Sequence, residues 1–249
     1  MITVQQSEKK SCLENAIDSY VITEEQGTMT LFEPLKLESH DGHKKKKNSK
    51  RRSHQIDIDS FISRQKTYPA SKKDILGRVA GRKTETILDA TAGWGGDALH
   101  LCSQGFTLQL VERNPILVGF LSEALSRLER STWVKNNAVI VPKLLAVDSI
   151  QMMRESAFIQ SVDCIYLDPM FPEKRKRSAL AKKNMQVLHD LLGEDDDQEH
   201  LFSAAYAASK RRIVVKRPDY AQSLGASLGI EPSQILQSKL IHYDIYLKH

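Results

Sequence analysis

The chain has 249 residues, 41% of them hydrophobic, and a net charge of +5, enough for one domain of about 150–200 residues with a full core plus an appendage. No apolar run approaches the roughly 18–20 residues of a membrane helix, and the opening MITVQQSE lacks the basic flank and apolar stretch of a signal peptide. Cys12, Cys102 and Cys164 are far apart and form no CxxC or His/Cys cluster, so zinc, iron–sulfur clusters and structural disulfides are not expected, and a reducing cytoplasm is.

Residues 1 to about 40 place short apolar runs, Tyr20-Val21-Ile22 and Met29-Thr30-Leu31-Phe32, between charged spacers, and a small sheet element is expected there. Residues 40–55 read as an exposed loop or linker. Within it KKKKNSKRR (Lys44 to Arg52) carries seven basic residues, and without them the net charge would fall from +5 to −2. The basicity is local and points to a polyanion contact; a solvated loop is the plainer alternative. The expected division is an N-terminal extension over 1–60 with this basic loop, and a catalytic domain over 61–249.

Downstream the pattern changes to strands alternating with helices. A helix is expected over Ser71–Val79, a buried strand at TILDAT, and a helix from Asp97 to Gln104 ended by Gly105. FTLQLVE is a second strand, and Pro115 starts a helix whose apolar spacing runs from Ile116 to Leu128. The latter half of VIVPKLLAVD is a third strand, since Pro142 interrupts the ladder, and Ser149–Ser156 is a short helix. VDCIYLDP is a fourth strand, followed by helices around Ala179–Leu192 and Glu199–Ser209 and a fifth strand at RRIVVKRP. Gln234–Leu240 and His242–Lys248 read as two closing strands.

Such alternation implies right-handed βαβ units and a mostly parallel α/β sheet, in which ligands bind beyond the carboxyl ends of the strands. The unusual clusters fall there: Asp89–Asp97, Glu112–Arg113, Asp148–Ser149 and Asp168–Phe171. Gly93, Gly95 and Gly96 allow a tight turn and close approach of a ligand to backbone N–H groups at a helix start. Asp89 just before them suits a cationic amine, and Glu112, at the end of the second strand, suits the two hydroxyls of a ribose. A plain glycine turn beside an ordinary strand-end acid is the alternative. Gly93-x-Gly95-x-x-Ala98 also matches the dinucleotide fingerprint formally, which keeps a nicotinamide-linked oxidoreductase as a rival. S-adenosylmethionine has the ribose and adenine without the pyrophosphate that Asp89 would repel, and an antiparallel closing pair is typical of methyltransferase sheets.

LDPMF (Leu167 to Phe171) resembles the Asp/Asn-Pro-Pro-aromatic loop of enzymes that methylate exocyclic amines, with Met170 in place of the second proline. A ring-conjugated amine is a poor nucleophile. An acceptor at Asp168 and the carbonyl of Pro169 can take its two hydrogens and aim the lone pair, and Phe171 can stack on a flipped base. Otherwise Asp-Pro simply ends a strand and Phe171 is core. The basic segment EKRKR with Lys182 and Lys183 fits phosphate contacts or a solvated helix face, and Lys216, Arg217 and Asp219 after the fifth strand can reach the same cleft. The eight histidines form no metal-binding pattern, and in-line transfer from a sulfonium needs positioning rather than a metal.

LDATAGWGGDALHL, LVERNPI, YLDPMFPEKRKRSALAKKNMQVL and RRIVVKRPDYA together resemble the bacterial 16S ribosomal RNA guanine-N2 methyltransferases of the RsmJ type. The resemblance implies a Rossmann-like class I methyltransferase that uses S-adenosylmethionine, acts in the cytoplasm and modifies a guanine of 16S ribosomal RNA or the small ribosomal subunit. Methylation of another exocyclic amine in RNA or DNA stays open. It places cofactor contacts at Gly96, Asp97, Glu112, Arg113, Asp148, Ser149 and Asp168, beside Asp89, Gly93 and Gly95. The third-strand end reads Asp148-Ser149 where the family often has Ser-Ser. No self-complementary apolar stripe is evident, so a monomer is expected.

Overall fold

The structure, a computed structural model, describes residues 2–6, 20–25, 27–33, 53–155, 162–170 and 197–248. The chain divides into two units, Met1–Asp57 and Ile58–His249.

The first unit holds a four-stranded sheet in the order β1-β2-β3-β4. β1 (Ile2–Gln6) runs parallel to β2 (Tyr20–Glu25), which pairs antiparallel with β3 (Thr28–Phe32). Gly27, at φ 71°, supplies the left-handed residue of the tight turn between them. Val21, Ile22 and Leu31 bury the apolar runs that suggested a sheet here. The expected 40–55 loop stops short of its end, because Ser53–His54 forms β4 against Phe32 and Leu31. His54 is buried with its Nε2 2.7 Å from Glu33 Oε1. So short a strand has no pattern of its own, and its partner decides it. The basic run Lys44–Arg52 lies outside the described residues.

The second unit is built on a seven-stranded sheet. Its elements in chain order are α1 (Ile58–Ser63), α2 (Ile75–Ala80), β5 (Thr86–Asp89), α3 (Gly96–Ser103), β6 (Thr107–Val111), α4 (Pro115–Arg130), α5 (Thr132–Asn137), β7 (Lys143–Leu145), α6 (Ser149–Glu155), β8 (Cys164–Leu167), α7 (Gln198–Ala208), β9 (Arg212–Pro218), β10 (Gln234–Gln237) and β11 (Ile241–Leu247). The strand order is β10-β11-β9-β8-β5-β6-β7. The five strands from β7 to β9 are parallel, while β11 runs antiparallel to β9 and β10 antiparallel to β11.

Local chemistry sets the element ends. α2 begins later than the expected Ser71, because Asp74 caps it by accepting the Gly77 N–H at 2.8 Å. Pro115 takes the first position of α4, and Asn114 Oδ1 accepts the Ile116 N–H at 2.9 Å. The third strand is only Lys143–Leu145, just past Pro142. α1 and α5 were not expected. Each is six residues, too short for apolar periodicity to show. The expected helix at Ala179–Leu192 lies outside the described residues.

One face of the sheet packs Leu88, Ile165, Leu167, Ile213 and Val215 against Phe202 and Ala205 of α7. Their alternates Ile87, Leu108, Leu110 and Val214 are buried as well, and each fully buried side chain of this size stabilises the fold by about 1.5–3 kcal/mol. The chain leaves β5 toward β6 and β7 on one side and continues through β8 and β9 on the other. A crevice therefore opens between the carboxyl ends of β5 and β8.

Candidate active site

A cavity of about 520 Å³ occupies that crevice, a volume that suits a small-molecule ligand. Asp89, Gly93, Gly95, Gly96, Asp97, Glu112, Arg113, Asp148, Ser149 and Asp168 all line it. Pro169 is buried next to Asp168, whereas Phe171 and the basic segments after it lie outside the described residues.

The glycines at the start of α3 differ in what they do. Gly95 is left-handed at φ 72°, and a Cβ there would sit 2.6 Å from Leu121 Cδ2, so the fold itself demands glycine. Gly96 is exposed to the cavity, and a Cβ on it would meet nothing within 4 Å. Its bareness answers no internal need and leaves room for a ligand. Glu112 fastens this loop: its Oε2 accepts the Gly93 N–H at 2.9 Å and its Oε1 the Asn114 N–H at 2.7 Å. Burial raises the Glu112 carboxyl above its ordinary value, against the pull of these N–H groups. Each oxygen keeps a second lone pair for a ligand hydroxyl.

Asp89 ends β5 with only 2% exposure, and its Oδ1 accepts the Thr91 N–H at 3.1 Å. Burial, reinforced by the charges of Asp97, Asp168 and Glu112, pushes its carboxyl up to about 8. Across the crevice Thr91 Oγ1 accepts the Asp168 N–H at 2.7 Å, which fixes the start of the Asp168-Pro169 loop.

Lys216 lies within β9 rather than after it, and it bridges the two halves of the site. Its Nζ donates to Asp97 Oδ2 at 2.7 Å and to Asp168 Oδ2 at 2.8 Å. The buried Tyr166 hydroxyl donates to the same Asp97 oxygen at 2.6 Å. Although burial opposes its charge, the carboxylates of Asp168 and Asp97 raise the Lys216 ammonium well above its ordinary value, so it stays charged. The next residue, Arg217, donates to Gln198 Oε1 at 3.2 Å, and Gln198 Nε2 donates in turn to the Met170 carbonyl.

The third wall is occupied by contacts among its own residues. Arg113 pairs with Asp197 and, at 3.4 Å, with Asp148, whose Oδ1 also accepts the Gln151 N–H at 2.9 Å. The Ser149 hydroxyl donates to the Ala90 carbonyl and ties α6 to the end of β5. Sequence reasoning passed over Trp94, Tyr166 and Asp197. Trp94 lines the cavity, stands edge-on to Phe120 at 5.1 Å, and has a buried indole N–H without an acceptor among the described residues. A tryptophan among glycines reads as core, and Asp197 is a neighbour only through the fold.

The donor set suits a cationic ligand with a sugar and does not suit a pyrophosphate. Asp89, Asp97, Glu112, Asp148 and Asp168 face the cavity, and the cations that line it with them, Lys216 and Arg113, are each already matched by two carboxylates. This argues against the dinucleotide rival.

The family model described as "Putative SAM-dependent methyltransferase" matches residues 19–248. The ribosomal RNA small subunit methyltransferase J of Vibrio vulnificus is 34% identical over 195 residues, covering 75% of this chain and 74% of that protein. That of Vibrio campbellii is 36% identical over 200 residues, covering 77% and 76%. That of Hydrogenovibrio crunogenus is 44% identical over 163 residues, covering 65% and 57%. A crystal structure of a SAM-dependent methyltransferase from Neisseria gonorrhoeae aligns over 100% of this chain and 96% of that one, with a TM-score of 0.65 at 23% identity, and shares the fold.

Proposed function

Because the chain belongs to the ribosomal RNA small subunit methyltransferase J family of SAM-dependent methyltransferases, we propose that it methylates the exocyclic N2 amine of a guanine in 16S ribosomal RNA. The observation that carries this reading is a single cavity with the glycine loop on one wall and Asp168 on the other. When bound, S-adenosylmethionine supplies an electrophilic methyl group on a sulfonium. Asp89 would hold its ammonium, Glu112 its ribose hydroxyls and Asp148 its adenine amine, with the Gly96 backbone beneath. Lys216 occupies Asp168 Oδ2, which leaves Oδ1 to accept one hydrogen of the target amine, and the Pro169 carbonyl takes the other. Both contacts aim the nitrogen lone pair into the cleft. Phe171 stacks on the flipped base.

The substrate is 16S RNA, free or in the small subunit, and the enzyme acts as a cytoplasmic monomer. Among the described residues no helix is long and apolar enough to cross a membrane. Residues 61–249 carry the reaction, and the 1–60 extension adds an RNA contact through Lys44–Arg52. Transfer of tritiated methyl to ribosomal particles from a strain lacking the enzyme, followed by nucleoside analysis, tests the reading: N2-methylguanosine in 16S RNA is expected. Another nucleoside, or no label, would overturn it. Asp168→Ala should lower transfer by about 100-fold or more with the fold unchanged by circular dichroism. Activity near wild type would remove Asp168 from the reaction.

A further inference from the structure

We infer that Lys216 is the positioning residue that keeps the Asp168 carboxylate ionised and turned toward the target amine, by tying it to Asp97 of the cofactor wall. The inference rests on the reading of Asp168 given above and assigns its orientation and charge to a third residue.

The geometry is that of a bridge. Asp97 opens α3 beside the glycine loop, Asp168 follows β8, and Lys216 lies in β9 with its Nζ 2.7 and 2.8 Å from one oxygen of each. The Lys216 side chain is 21% exposed, that of Asp97 32% and that of Asp168 37%, so water screens the bridge in part. Nearby, Tyr166 comes from β8 and Tyr243 from β11, in register with Lys216, while Asp89 ends β5 and Glu112 stands behind it. The tyrosines are neutral and the remaining groups are carboxyls. Among the described residues Lys216 is the cation on this wall; Arg113 is engaged elsewhere, with Asp197 and Asp148.

Remove Lys216 and the carboxylates of Asp97 and Asp168 share one wall without a counter-charge, beside an Asp89 that is already protonated at neutral pH. Two carboxylates brought together at a partly buried wall raise one another's affinity for a proton. Burial and the neighbouring Asp97 already raise the Asp168 carboxyl, and Lys216 is the force that pulls it back. A protonated Asp168 would offer a donor where the amine needs an acceptor, and without the ammonium on Oδ2 nothing described would hold its plane.

The test compares wild type with Lys216→Met, Lys216→Arg and Asp97→Asn. In Lys216→Met, kcat at pH 7 should fall by about 100-fold, while KM for the RNA and calorimetric affinity for S-adenosylmethionine stay near wild type. The acid limb of its pH–rate profile should move to higher pH, with activity partly recovered on the alkaline side. Carbon-13 NMR of the side-chain carboxyls, assigned through Asp168→Asn, should show Asp168 titrating at higher pH in the ligand-free Lys216→Met protein. Asp168 should titrate near its wild-type position in Lys216→Arg and at lower pH in Asp97→Asn. An unmoved Asp168 titration, or a pH profile of wild-type shape at reduced height, would overturn the inference. Should Lys216→Met not fold, the Arg and Asn variants still decide it. Failure of the wild type to methylate ribosomal RNA would sink the proposed function alone, since the NMR titration needs no substrate.

Discussion

Asp89, buried and surrounded by the charges of Asp97, Asp168 and Glu112, has its carboxyl pushed up to about 8, so at neutral pH it holds a proton. The folded chain then binds more protons than the unfolded one between the ordinary value of about 3.9 and 8. The contribution of this group to stability therefore declines as pH rises through that window. A ligand ammonium favours the ionised form and expels the proton. Calorimetry at pH 7 in buffers of different ionisation enthalpy should show release approaching one proton per S-adenosylmethionine bound. Asp89→Asn should abolish the release, weaken binding, and flatten the fall in Tm between about pH 5 and 8. Binding heats independent of buffer in the wild type would contradict the assignment. Asp89, Glu112 and Asp168 could be chosen from the sequence because acids at consecutive strand ends converge in a parallel sheet. Lys216 could not be chosen with them, since its role depends on Asp97 and Asp168 arriving from two other elements. The bare backbone at Gly95 and Gly96 looked alike in the sequence. Only packing separates the turn residue from the one that leaves room.

Among the elements, α4 shows how a cap serves both fold and site. Asn114 Oδ1 accepts the Ile116 and Leu117 N–H groups, while its own N–H donates to Glu112. Asn114→Ala removes the side-chain cap and leaves the backbone donor. It should cost about 1 kcal/mol, or roughly 2–4 °C in Tm for a domain of this size, with cofactor affinity little changed. A tenfold loss of affinity would mean that the cap also sets the Glu112 geometry. The five central strands were legible because apolar runs bounded by Gly, Pro or acids have few other readings. The two-residue β4 and the six-residue α1 and α5 were not, because tertiary partners rather than local pattern decide such short pieces.

At the scale of the whole molecule the charge is unevenly spread: Lys44–Arg52 supplies seven cations, and the rest of the chain is net negative. The cavity is itself rich in carboxylates, so attraction to a polyanion must come from elsewhere on the chain. Replacing the run by Ser/Gly should flatten the dependence of log Kobs on log salt by about 0.7 for each lost phosphate contact. An unchanged slope in filter binding would leave the run without an RNA role. The parallel order and antiparallel closing pair were legible from the alternation of elements, while the four-stranded sheet of the first unit was only hinted at by its apolar runs. The switch in winding direction between β5 and β8 has a hereditary consequence. In the proposed reading the chain from Thr86 to Ser149 shapes the donor's seat, while β8 with Asp168 and Pro169 behind it, and β9, shape the acceptor's. A relative with a different RNA target could thus lend its later strands as a cassette, and the graft would need to match along the whole β5–β8 seam, from Thr86 against Asp163 to Thr91 and Asp97 against Tyr166, Asp168 and Lys216, and at Arg113 against Asp197.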